Sequence, residues 1–192
     1  YKLTRLLRGQ RGTEWAIRNP VAAGARMVVL DTAIANLPID PADIGTPFYW
    51  RVGPANKPVS DMSYQQAAFT PSGLGAEPFS GIHAVQPWRR ENAVGDRTIE
   101  WIRRSRELSA DIWGKGEIAL GEESASYAVE IMDGGTVKRT LTSSTTSVTY
   151  TQAQQIIDFG AAIPAGGSLQ VRIYQIAPVV GRGFVYAETL YF

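Results

Sequence analysis

The sequence predicts an all-β protein in which a small, mostly β first domain precedes a β-sandwich that carries one short helix. The first observation behind this prediction is a series of short segments in which apolar and polar residues alternate, as in residues 127–131 and 171–176. The second is composition, because 19 Gly and 11 Pro among 192 residues favour many turns and few long helices. Sandwiches of this kind usually serve as binding or spacer modules, so we do not expect an enzyme.

Residues 1–83 form the predicted first domain. Alternation and aromatic or β-branched content predict its strands, and Pro-rich and Gly-rich stretches predict a turn and a closing loop. A few isolated strands are marginally stable, so we expect them to complete a sheet begun by residues that precede Tyr1. Since the first residue is Tyr and not Met, we also expect the chain to be processed or to be part of a longer protein. The predicted strands are 2–7, 24–31, 48–52 and 64–70, the turn is 41–43 and the loop is 71–78.

Residues 84–192 form the predicted sandwich. They contain seven candidate strands in just over a hundred residues, which is the size of an immunoglobulin or fibronectin type III sandwich. Trp101 and Tyr127 are expected in its core, because such large apolar side chains are costly to expose. The predicted strands are 84–91, 97–105, 126–132, 136–142, 147–150, 169–176 and 184–192.

Two local signals refine the prediction for the sandwich. Residues 133–135 read Asp-Gly-Gly, which predicts a tight hairpin turn because Gly tolerates positive φ. Residues 151–160 break the strand pattern and predict a short helix. Thr151 and Gln154 fit a capping box at its start, and Gly160 suits its end.

Composition excludes several classes of function. The net charge of +1 gives no general attraction to nucleic acid or to an anionic membrane. The longest apolar run, residues 27–30, is far too short for membrane insertion. There is no cysteine, and His83 is the only histidine, so we expect neither a metal site nor a cofactor.

The carboxylates around Glu122 are the one group that resembles catalytic machinery. Glu122 and Glu123, with Glu117 and Asp111 nearby, could form a pair for glycoside hydrolysis. That chemistry needs two carboxyl groups that face each other across a sugar, whereas neighbours on a strand point to opposite faces. We therefore interpret these residues as a solvated loop before Tyr127 and assign no catalytic residue.

Trp113, Arg106 and Arg182 are the candidate partner contacts. Trp113 lies in a probable loop, and Arg182 lies in the Gly-rich loop 178–183. Arg106 ends a basic run, 103–106, that could bind phosphate or lipopolysaccharide. Nearby carboxylates offset its charge, so we interpret the run as paired or as protecting a strand edge. Aromatic residues that could line a sugar-binding face or a subunit contact are Trp88, Trp113, Tyr174, Tyr186 and Tyr191.

Several motifs, taken in order, resemble one family. The opening carries LLRGQRGTE at residues 6–14, and the second half carries WIRRSR at 101–106, LGEESASY at 120–127, VTYT at 148–151 and VGRG at 180–183. This order is similar to the C-terminal region of the large tail-tip protein of gene transfer agents and related long-tailed bacteriophages. That protein is also called the megatron, host-specificity or tail-hub protein. The match covers both ends of the chain, while residues 32–81 match only weakly.

The resemblance implies a structural protein of the virion tail tip, assembled in the bacterial cytoplasm. Its implied partners are copies of itself, usually in a trimer, and other tail proteins, with host-surface polysaccharide or a receptor as a further contact. Neither nucleic acid nor a cofactor is implied. Two alternatives stay open: a carbohydrate-binding accessory module that recognises bacterial surface polysaccharide, and an accessory domain of a secreted carbohydrate-active enzyme.

Overall fold

The computed structural model describes residues 16–17, 20–29, 32, 34, 37–85, 95–106 and 118–192. The chain divides into two compact units, one formed by Val21–Ala76 and one that contains Glu77–Phe192. Strands are the main regular elements of both units, and one α-helix is present among the described residues. The predicted all-β class is therefore confirmed.

The unit Val21–Ala76 is built around an antiparallel hairpin. Its strands are β1 (Phe48–Val52) and β2 (Gln65–Phe69), which pair from Phe48 opposite Phe69 to Val52 opposite Gln65. A 3₁₀ turn, Pro41–Asp43, precedes the hairpin, and Asp40 caps it with its side chain. The strands predicted at 48–52 and 64–70 and the turn at 41–43 are confirmed.

The strand predicted at 24–31 is wrong over residues 24–29. These residues are irregular, and the side chains of Met27, Val28 and Val29 are 62%, 70% and 65% exposed. A strand needs a neighbour for its backbone hydrogen bonds, and no described strand pairs with this segment. Apolar sequence alone therefore did not make a strand here. The strand predicted at 2–7 lies outside the described residues.

The described part of the second unit contains eight strands and one α-helix. All neighbouring strands in its sheets are antiparallel. In chain order the elements are β3 (Ile82–Val85), β4 (Arg97–Ile102), β5 (Tyr127–Asp133), β6 (Thr136–Ser143), β7 (Ser147–Tyr150), α1 (Gln152–Phe159), β8 (Ser168–Ala177), β9 (Gly181–Arg182) and β10 (Tyr186–Tyr191).

These strands form the two sheets of a fibronectin type III-like sandwich, as predicted. One sheet has the order β3-β4-β7, and the other has the order β10-β8-β5-β6 with the short β9 added to β8. The boundary expected between residues 83 and 84 falls inside β3, whose Ile82 already pairs with Ile102 of β4. Residues from Glu77 onward accordingly belong to the compact unit that contains the sandwich, and not to Val21–Ala76.

The core lies between the two sheets. Alternate residues of β8 (Leu169, Val171 and Ile173) point inward and are at most 3% exposed. Trp101 on β4 and Tyr127 on β5 meet edge to face, with ring centres 5.3 Å apart and planes at 69°. They are 4% and 1% exposed, so their predicted burial is confirmed.

Helix α1 begins and ends at the predicted residues. The Thr151 hydroxyl accepts a hydrogen bond from the Gln154 N–H, and the Gln154 side chain accepts one from the Thr151 N–H. Gly160 ends the helix with a φ of 79°, a left-handed conformation that costs other residues more. The turn predicted at 133–135 is also confirmed, with Gly134 at a φ of 57°.

Buried Gln155 fastens α1 to the chain around it. Its Nε2 donates to the carbonyl oxygens of Gly95 and Tyr150, each at 3.0 Å, and its Oε1 accepts from the N–H of Ile163, also at 3.0 Å. The side chain is wholly buried. It therefore satisfies three backbone groups that would otherwise lack partners away from water.

Candidate partner-contact surface

Arg106, one of the three candidate contacts, forms an ion pair within the sandwich unit. Two of its guanidinium nitrogens lie 3.0 and 2.8 Å from Oε1 of Glu122. The Glu122 side chain is only 6% exposed, so the interpretation of this residue as part of a solvated loop is wrong. A buried carboxylate needs such a partner, whereas Arg106 itself stays 30% exposed. The interpretation of the basic run as paired is confirmed for Arg106.

Arg103 and Arg104 are also held by the fold. The Arg103 guanidinium donates two hydrogen bonds to the carbonyl oxygen of Ile118, one from Nε at 2.7 Å. The Arg104 guanidinium lies 5.3 Å from the centre of the Phe79 ring, within the range of a cation–π contact. Because the fold holds both arginine side chains in place, their contacts favour a structural role over the recognition of free anions.

Arg182, the second candidate contact, covers a buried acid. Its Nη1 lies 2.5 Å from Oε1 of Glu130, and its guanidinium carbon lies 4.7 Å from the centre of the Tyr174 ring. The Tyr174 hydroxyl makes a long hydrogen bond of 3.4 Å to Oε2 of Glu130. Burial raises the pKa of Tyr174, and the Glu130 carboxylate adds to this shift. Arg182 remains 46% exposed, so it can still contact a partner.

Glu130 was missed by the sequence analysis. It occupies an outward-facing position on the central strand β5, yet it is only 6% exposed. The available signal was a single carboxylate in the otherwise apolar run from Tyr127 to Met132. A lone acid in such a run needs a cationic partner, but spacing in sequence does not reveal that the partner is Arg182.

The outer face of the larger sheet carries a shallow groove of about 310 Å³. Its floor includes Ala187, whose small side chain leaves space beside Arg172 in the neighbouring strand. Two rows of outward-facing residues cross β5, β8 and β10 here. They are Met132, Gln170 and Thr189, and Glu130, Arg172 and Ala187.

Two of the predicted aromatic contacts flank this groove. Tyr174 lies two residues beyond Arg172 on the same face of β8, and Tyr191 lies two residues beyond Thr189 on β10 with 76% of its surface exposed. Tyr186 instead packs beside the core. Trp113 and Trp88 lie outside the described residues. The structure thus places Arg182, Tyr174 and Tyr191 on one face, with Arg106 beyond the end of β4.

The sandwich contains a second charged cluster, which lies beside α1. Arg139 donates two hydrogen bonds to Asp158, at 2.7 and 2.8 Å, and the Tyr150 hydroxyl donates one at 2.8 Å. The hydrogen-bonded Arg139 guanidinium, with Tyr150 adding to it, holds the pKa of Asp158 below its usual value. Burial raises the pKa of Tyr150, and the bond to Asp158 adds to this. The cluster joins α1 to β6 and β7 and is therefore structural.

This cluster predicts a dependence of stability on pH. A carboxyl whose pKa is lower in the folded than in the unfolded chain stabilises the fold above about pH 4, its unfolded pKa. That contribution is lost as the pH falls through the lower, folded pKa. We expect Asp158→Asn to lower Tm at neutral pH, and the difference from wild type to shrink below about pH 4. Calorimetry across this pH range measures both.

The matched control is Asp133→Asn. Asp133 pairs with Lys138 at 3.2 Å, but their side chains are 57% and 35% exposed. Exposed pairs contribute little, so this variant should leave the acid dependence of Tm close to that of wild type. A constant difference in Tm between wild type and Asp158→Asn at every pH would contradict the assigned role of Asp158.

The unit Val21–Ala76 exposes much apolar surface. None of the buried apolar side chains that form the described core comes from this unit. Large surfaces of this kind mark sites of interaction. Its exposed large apolar residues are Val21, Met27, Val28, Val29, Ile34, Leu37, Ile39, Tyr49, Val52, Val59, Met62, Phe69 and Leu74.

The described residues contain neither a metal-binding cluster nor a membrane-spanning helix. Within them, no group of three or more His, Asp or Glu side chains is arranged to hold a metal ion. No helix there combines the length and the apolar character that crossing a membrane requires.

Comparison with known proteins finds similarity among solved structures. No protein-family model and no curated protein matches the chain. Among solved structures, the chain is similar to the crystal structure of the rat CD45 extracellular region, domains d3-d4. The identity is 10%, the TM-score is 0.40, and the match covers 91% of this chain and 79% of that chain.

Proposed function

We propose that this chain is a non-enzymatic structural component of a bacteriophage or gene-transfer-agent tail tip. In this role Val21–Ala76 assembles with other copies of the chain or with neighbouring tail proteins. The sandwich then projects from that assembly and provides the surface for contact with the host. The ordered motifs at both ends of the chain support the tail assignment.

The single observation that carries the assembly role is the exposed apolar surface of Val21–Ala76. A two-stranded hairpin is marginal on its own in water, and β1 pairs only with β2 among the described strands. Val28 and Tyr49 are each 70% exposed, and Met62 is 97% exposed. Burying such side chains against a partner contributes about 25 cal/mol per Å² of apolar area, so assembly is favoured.

The paired arginines support a structural role for the sandwich. Arg106 and Arg182 each neutralise a buried carboxylate of their own unit, Glu122 and Glu130. A guanidinium already engaged in this way has fewer N–H groups for a free phosphate. These two arginine side chains therefore help to stabilise the fold, as expected for a structural module.

The test locates the chain in purified particles by cryo-EM and compares two variants. We expect three copies around the tail axis at the distal tip. Val28→Asp places a charge on the proposed assembly surface and should abolish incorporation. Ile157→Asp changes a side chain of α1 that is 75% exposed and should be incorporated normally. Absence of the wild-type chain from particles, or normal incorporation of Val28→Asp, would contradict the proposal.

Recognition of bacterial surface polysaccharide is the second candidate function. The observation that favours it is the groove on the outer sheet face, which lies between Tyr174 and Tyr191. Aromatic rings stack on the apolar faces of sugars, and polar side chains beside them fix orientation. A glycan-binding assay with host envelope polysaccharide tests it, and no binding at millimolar concentration would exclude it.

A further inference from the structure

We infer that the groove on the outer face of the larger sheet binds a neutral saccharide, and that Arg172 holds the hydroxyl groups of this ligand. The inference rests on the second candidate function, saccharide recognition, and not on the assembly role. It places the saccharide away from Arg106 and away from loop 178–183.

Arg172 is a half-buried cation with no hydrogen-bond or ion-pair partner among the described residues. Its cross-strand neighbours are Glu130 on β5 and Ala187 on β10. The Glu130 carboxylate is taken by Arg182, and Ala187 offers no acceptor. In the part of the chain that the structure describes, the Arg172 guanidinium makes no hydrogen bond or ion pair. The guanidinium N–H donors are therefore available to a ligand in the groove.

The other polar groups of the groove indicate the class of that ligand. Gln170 supplies both donors and an acceptor, and Thr189 supplies a hydroxyl. Glu188 accepts from the Tyr186 hydroxyl at 2.9 Å and from the Thr189 N–H at 3.1 Å, and it retains lone pairs for further bonds. Arg172 and Glu188 are both among the lining residues, so the lining carries no net formal charge and does not select an anion. Sugar hydroxyls both donate and accept, which matches this mixed lining.

The flanking tyrosines supply the apolar part of the site. Tyr174 follows Arg172 by two residues on β8, which places the two about 7 Å apart along the same face. Its ring is held by the Arg182 guanidinium at 4.7 Å, so it is fixed before a ligand arrives. Tyr191 stands exposed beyond the groove on β10. A pyranose ring can therefore stack while its hydroxyls reach Arg172.

The experiment is an NMR titration of the full ¹⁵N-labelled chain with three neutral disaccharides, maltose, cellobiose and lactose, and with sodium glucuronate. We expect saturable shifts of the Gln170, Arg172 and Thr189 amides with at least one disaccharide at millimolar concentration. Arg172→Ala should weaken binding about ten-fold or more, since hydrogen bonds to a charged group are lost. Ala187→Leu fills the groove, leaves Arg172 in place and should weaken binding similarly.

Arg51→Ala is the matched control, because Arg51 is an exposed arginine on β1, and it should leave binding unchanged. Binding that survives both Arg172→Ala and Ala187→Leu would overturn the groove assignment and leave saccharide recognition standing. Shifts with glucuronate alone would overturn the neutral class. No shifts with any sugar would overturn both the groove assignment and the neutral class, without affecting the assembly role.

Discussion

Replacing Trp101 with alanine will lower the free energy of unfolding by about 3–5 kcal/mol. Trp101 is 4% exposed and packs edge to face on Tyr127, which is itself almost wholly buried. Its indole N–H has no hydrogen-bond acceptor among the described residues, so its contribution comes from packing. Alanine would remove this packing and leave a cavity between the two sheets. Urea unfolding followed by far-UV circular dichroism measures the loss.

The matched control for this variant is Ile157→Ala. Ile157 is also apolar but 75% exposed on α1, so the free energy of unfolding should change by about 0.5 kcal/mol or less. A loss of about 1 kcal/mol or less for Trp101→Ala would contradict the assigned role of Trp101 in core packing.

Replacing Gln155 with leucine will destabilise the sandwich by about 3 kcal/mol. Leucine has a similar volume, but it would leave three backbone groups without partners: the carbonyl oxygens of Gly95 and Tyr150 and the N–H of Ile163. Each unsatisfied buried group costs about 1–3 kcal/mol, while the apolar side chain regains part of that loss. Urea denaturation of the same kind provides the measurement.

Gln152→Leu tests whether the loss depends on those hydrogen bonds. Gln152 lies on the same helix but is exposed, so this change should alter the free energy of unfolding by about 0.5 kcal/mol or less. Equal effects of the two substitutions would show that Gln155 acts through helix propensity and not through its three partners.

Local signals in the sequence were sufficient for much of the fold. The capping box of Thr151 and Gln154, the turn at Gly134 and the aromatic strand Phe48–Val52 all depend on residues close in sequence. Alternation likewise identified the inward face of β5, including Tyr127. Such features follow from backbone geometry and side-chain periodicity, which a single sequence displays.

The candidate site could be predicted only in part, because its key contacts join residues far apart in the chain. Arg182 and Glu130 are 52 positions apart, and Arg106 and Glu122 are 16 apart. Sequence indicated the arginines but not their carboxylate partners. It also did not indicate that Arg172 has no carboxylate partner in the described part of the chain. At the exposed segment around Met27, sequence predicted a strand that the structure does not contain. An apolar run becomes a strand only where a neighbouring strand pairs with it.

The direction of the first and last strands has a mechanical consequence for the sandwich. Strand β3 starts opposite Ile102, at the end of β4, while β10 ends opposite Ser168, at the start of β8. The chain therefore enters the sandwich at one end and leaves β10 at the other. Tension between these two points runs along the strands, across the direction of the ladder hydrogen bonds. It would load each ladder in shear, with its bonds stretched together, so the sandwich would resist pulling better than a ladder that unzips bond by bond.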